Sequence, residues 1–61
     1  MSEDIIERGT PVEKVGGDAP YTGTVLCSTR TLAGRLRYVV EFDAVPGLLH
    51  IESPNTIRRR K

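Results

Sequence analysis

The chain has 61 residues, with nine Lys+Arg against eight Asp+Glu, one Cys, one His and no Trp. A chain this short makes one domain and buries only about 60% of the surface its unfolded form exposes. Cys27 alone cannot form an intrachain disulfide, no Cys/His set supplies the four ligands of a structural zinc, and a net charge of +1 gives no charge-based case for nucleic acid.

No apolar run approaches the length of a membrane span, and Met1-Ser2-Glu3-Asp4 is acidic where a secretory signal is basic. With the lone Cys, this gives the expectation of a cytoplasmic protein. Without disulfide or metal, a core this small points to self-association as its source of extra stability.

Residues 1–9 are polar, lack a pattern long enough to bury, and are expected to form a flexible N-terminal arm or one short helical turn. Pro11 opens a short run, Val12-Glu13-Lys14-Val15, that suits a first strand. Gly16-Gly17-Asp18-Ala19-Pro20 concentrates turn formers and predicts a loop. From Tyr21 to Thr29 the chain is rich in β-branched residues, so a strand is expected, with Gly23 marking a bulge or a close backbone approach. Cys27 in that run is expected to be a buried small hydrophobe.

After a short connection from Thr31 to Gly34, Leu36, Tyr38, Val40 and Phe42 alternate with Arg35, Arg37, Val39 and Glu41. That period of two predicts a half-buried strand with the first set on its core face. Ala44-Val45-Pro46-Gly47 places Pro ahead of Gly, as a type II turn prefers, and returns the chain into a fourth strand from Leu48 to Ser53. A break at Ser53-Pro54-Asn55-Thr56 precedes a short last strand at Ile57 and the basic end Arg58-Arg59-Arg60-Lys61. Five short strands separated by turns, with no helix-length amphipathic segment, give an all-β fold: a small five-stranded SH3-like barrel over residues 10–60 with a basic C-terminal end, expected to be homo-oligomeric.

Side chains able to carry chemistry are few. In the fourth strand the alternation puts Leu49 and Ile51 on one face, expected to point inward, and His50 and Glu52 on the other, expected to point outward. A solvated pair is the commoner fate of such residues. In a homo-oligomer, however, one imidazole and one carboxylate per chain recur around the symmetry axis and can line a shared surface. Arg35, Arg37, Arg58, Arg59 and Arg60 are the candidates for a nucleic-acid-binding patch, with few aromatics to accompany them.

The succession Val12, Lys14, Gly17, Gly23, Tyr38, Val40-Glu41, Pro46-Gly47 and Leu49-His50-Ile51-Glu52 resembles the plasmid-borne type II (type B) dihydrofolate reductases over roughly residues 9 to 60. The resemblance implies an SH3-like barrel forming a homotetramer around a pore in which dihydrofolate and NADPH bind together. It places the family's pore lysine on Lys14 and its cofactor-contacting isoleucine on Ile51. The pore motif Val-Gln-Ile-Tyr corresponds to Leu49-His50-Ile51-Glu52, so His50 stands for Gln and Glu52 for Tyr. The family's tryptophan after the first loop corresponds to Tyr21, and its interface histidine to Val45.

Four copies of Glu52 in a narrow pore repel a dinucleotide's phosphates. The leading expectation is therefore a non-catalytic module, of a kind phage genomes encode, that self-associates as a dimer or tetramer. It binds a small anionic or nucleotide-like ligand, or a protein partner, through Lys14, His50, Ile51 and Glu52. The alternatives are a weak NADPH-dependent dihydrofolate reductase and a nucleic-acid-binding barrel.

Overall fold

The computed structural model describes residues 5–16 and 19–60. It is all-β: β1 (Pro11–Lys14), β2 (Thr22–Arg30), β3 (Leu36–Phe42), β4 (Leu49–Glu52) and β5 (Ile57–Arg59) form one antiparallel sheet in the order β4-β3-β2-β1-β5. The strands fall where the alternation and the turn residues predict them. Gly17 and Asp18 of the expected first loop, and Met1 to Asp4 of the expected arm, lie outside the described residues.

The core is built by Ile6, Val12, Val25, Leu36, Tyr38, Val40 and Ile57. Residues of β3 and β5 belong to this one cluster although β2 and β1 separate them in the sheet, so the sheet bends around its apolar face. An ion pair from Arg60 Nη2 to Asp43 Oδ2 at 3.1 Å joins the end of β5 to the end of β3. The hairpin between β3 and β4 closes as expected. Leu48 N–H donates to the Val45 carbonyl at 3.0 Å, with Gly47 at i+2 holding the positive φ of 90° that a type II turn requires.

Three expectations are corrected. Cys27 is exposed rather than buried. A register shift between Val25 and Cys27 keeps Val25 in the core, opposite Val40, and sets Cys27 opposite Val39 on the outer face of the sheet. Ile6, in the segment given nothing to bury, is a core residue, and Gly9 N–H donates to the Val25 carbonyl at 2.7 Å.

The third correction concerns β4. Leu49 and Ile51 are 48% and 61% exposed, whereas Glu52 is 7% exposed. Residues directly opposite in an antiparallel pair share a face, and β4 sets Glu52 against Tyr38 and His50 against Val40, both core residues of β3. The pairing with β3, not the apolar character of Leu49 and Ile51, decides which side of β4 turns inward.

Tyr38 is almost wholly buried, and its Oη accepts a hydrogen bond from Ile6 N–H at 3.0 Å. Tyr38→Phe leaves that buried N–H without its partner. We expect a loss of about 1 kcal/mol in urea unfolding, together with faster amide exchange at Ile6; unchanged exchange there would show that the hydrogen bond does not hold residues 5–9 to the sheet.

Candidate functional site

Where the core opens at the ends of β1, β3 and β4, side chains from four segments meet. The Tyr21 ring, just before β2, stacks on Phe42 at the end of β3, with centroids 4.0 Å apart and planes 17° from parallel. His50 on β4 continues the surface, 4.7 Å from Phe42 and 5.8 Å from Tyr21, the latter edge-on. Lys14, the last residue of β1, brings Nζ to 6.0 Å from the Tyr21 centroid, the outer limit of a cation–π contact. Tyr21 is tied to β1 by its own carbonyl, which accepts from Lys14 N–H at 2.8 Å.

Beneath this surface lies Glu52. Tyr21 Oη donates to Glu52 Oε2 and Thr56 Oγ1 donates to Oε1 at 2.9 Å, while His50 Nδ1 stands 3.7 Å from Oε2. Burial alone raises a carboxyl pKa. Here the hydrogen bonds from Tyr21 and Thr56, with the charges of Lys14 and His50, outweigh burial and hold Glu52 below its usual value. Tyr21 moves the other way: burial first, then its bond to the ionised Glu52, push the phenol well above its ordinary range, so it remains a protonated donor.

Both shifts carry their groups away from neutrality. A general acid or base works best with its pKa near the operating pH, so Tyr21 and Glu52 act as a fixed donor–acceptor pair rather than a proton relay. Their role is to anchor the ring of Tyr21 and thereby the stack it forms with Phe42.

The structure brings Lys14, His50 and Glu52 together at this place and leaves Ile51 on the opposite face of β4, beside Leu49. The arginines are dispersed. Arg37 Nη1 donates to the Leu36 carbonyl at the start of β3, Arg58 pairs with its cross-strand neighbour Glu13, and Arg60 pairs with Asp43. Arg60 therefore meets the far end of β3 from Arg37, about 20 Å along the strand at its usual rise. A shallow depression of about 540 Å³ is lined by Glu13, Arg58, Arg59 and Arg60, and its acid is already paired with Arg58.

Two members of the site, Tyr21 and Phe42, were not among the expected ligand-binding residues. Their signal was present: Phe42 ends the core-facing alternation of β3, and Tyr21 ends the loop that precedes β2. Their stacking depends on the pairing of β2 with β3, which sets Gly23, two residues beyond Tyr21, against Phe42. No protein-family model matches the chain, and no curated protein matches it.

Proposed function

We propose that this protein is a non-catalytic, self-associating SH3-like barrel that binds a nucleotide-like anion on the surface formed by Lys14, Tyr21, Phe42 and His50. The observation that carries the proposal is the Tyr21–Phe42 stack continued by His50, with the Lys14 ammonium at its margin. The partly buried Tyr21 and Phe42 rings with the half-exposed His50 offer a nucleobase a π-face, and the ammonium offers its phosphate a counter-charge. The strand order, the β1–β5 pairing and the single turn from β4 to β5 support the SH3-like arrangement. The exposed Leu49 and Ile51 support self-association.

Isothermal titration with ATP, NADPH and cyclic nucleotides tests the binding surface. Loss of one base-stacking ring costs about 1–3 kcal/mol, so Phe42→Ala is expected to weaken a bound nucleotide by roughly 5- to 150-fold. Lys14→Gln is expected to weaken nucleotides but not the matching nucleosides. No heat with any of these ligands would end the proposal.

The reductase chemistry implied by the resemblance uses the same Lys14 and His50. It also calls on Ile51, which lies across β4 from them in one subunit. Growth of trimethoprim-treated bacteria expressing the protein would replace the binding proposal with the reductase one.

A further inference from the structure

β4 is the terminal strand of the sheet and pairs only with β3 among the described residues. Phe42 N–H donates to the Leu48 carbonyl at 3.0 Å, which sets the phase of the β3–β4 ladder. Antiparallel ladders alternate bonded with non-bonded pairs, so the backbone groups of His50 and Glu52 turn toward β3 and those of Leu49 and Ile51 turn toward the open edge. The same two residues carry the exposed apolar side chains of the strand, on the face away from the core. An edge that is open and apolar invites another strand.

The chemistry of β4 is symmetric about His50, with an apolar residue on either side. We propose that two copies of this chain join edge to edge through β4, antiparallel about a two-fold axis at His50, with Leu49 of each copy opposite Ile51 of the other. This deepens the self-association in the proposed function and rests on it. In this register the outward N–H and C=O groups of Leu49 and Ile51 bond across the axis. Their side chains form one apolar stripe, flanked by Val39, which stands opposite Ile51 on β3.

Directly opposed residues share a face, which leaves only registers that shift by whole face repeats. Moving the axis to Ile51 sets Leu49 against Ser53 and offers His50 to Glu52, a carboxylate already buried and bonded to Tyr21 and Thr56. Moving it to Leu49 sets Ile51 against Gly47, which has no side chain to pack. Only the axis at His50 pairs both exposed apolar residues.

On the other face the same axis sets the two imidazoles side by side. The aromatic surfaces of the two copies then merge into one site with His50 at its centre, so a single copy holds only half of the surface a ligand would meet.

Cysteine cross-linking in a Cys27→Ser background, which removes the exposed native thiol, tests the register. Opposed residues in a non-bonded pair have Cα atoms about 4.5 Å apart, within disulfide reach, so His50→Cys is expected to form covalent dimers rapidly under mild oxidation. Two copies of Ile51→Cys are offset along the strands by about 7 Å and are expected to cross-link far more slowly. In the unaltered protein, Leu49 and Ile51 amides are expected to gain exchange protection as concentration rises, a check that does not depend on a variant folding. Sedimentation at a single-chain mass of 6.7 kDa at NMR concentrations would overturn both this pairing and self-association. An oligomer that cross-links through Ile51→Cys, or through neither variant, would overturn this pairing and leave self-association standing.

Discussion

Glu52→Ala is expected to destabilise the domain by about 2–4 kcal/mol, since hydrogen bonds to a charged acceptor are worth about 1.5–3 kcal/mol each and the side chain accepts two of them in a nearly buried position. Part of that gain offsets the cost of burying the carboxylate, which keeps the estimate below the plain sum. For a domain this small, whose core supplies about 3–5 kcal/mol, that loss leaves the variant only marginally folded, with its urea midpoint close to zero. Urea unfolding at neutral pH measures the effect, and a change below about 0.5 kcal/mol, the size expected of an exposed residue, would show that Glu52 does not hold the aromatic surface in place.

The same carboxylate sets a pH dependence. Its folded pKa lies below the ordinary value of 4.5, so the unfolded chain takes up a proton first as the pH falls. The stabilisation is complete above about pH 4.5, declines as the pH falls below it, and is gone once the folded group protonates. Glu52→Gln removes the titrating group, so the variant is expected to lose less stability than the wild type across that window, whatever its midpoint at pH 7. Equal slopes in the two proteins would assign acid unfolding to other carboxylates.

Much of this fold is legible in the sequence because local chemistry and final structure agree. The alternation from Leu36 to Phe42 specifies one strand face, Pro46-Gly47 specifies the return turn, and Gly16 and Pro20 interrupt the chain between β1 and β2. What stays hidden is pairing. In β4, Leu49 and Ile51 have the character of core residues and Glu52 that of a surface residue. Opposite Tyr38, however, Glu52 is placed at the core, where Tyr21 and Thr56 satisfy its charge. No pattern within four residues records partners more than thirty positions away, such as Tyr21 for Glu52. Cys27 is misjudged for a related reason: the bulge after Val25 has no composition of its own, and it separates the buried half of β2 from the exposed half. Local rules and tertiary structure conflict most clearly at β4, the strand to which both the aromatic surface and the open edge belong.

Gly23→Val is expected to prevent folding, and Gly23→Ala to cost about 1–3 kcal/mol. Gly23 lies in β2 between Val12 of β1 and Phe42 of β3. A Cβ there meets the Glu41 carbonyl oxygen at 2.5 Å and Val40 Cγ1 at 2.7 Å. The oxygen is backbone, so relief requires β2 and β3 to separate at the point where Val40 and Val25 pack in the core. Gly34 provides the contrast: its φ of 81° strains a side chain, but nothing lies within 4 Å of an added Cβ, so Gly34→Ala is expected to cost about 1 kcal/mol and leave the core intact. Thermal melts followed by circular dichroism rank the three variants. Because Phe42 is the cross-strand partner of Gly23, any Gly23→Ala protein that folds is expected to have a disturbed Tyr21–Phe42 stack and weakened nucleotide binding, while Gly34→Ala binds as the wild type does. A Gly23→Val protein that melts at the wild-type temperature would mean that β2 leaves room for a side chain against the Glu41 carbonyl, and the close packing that fixes Phe42 beside Tyr21 would lose its physical basis.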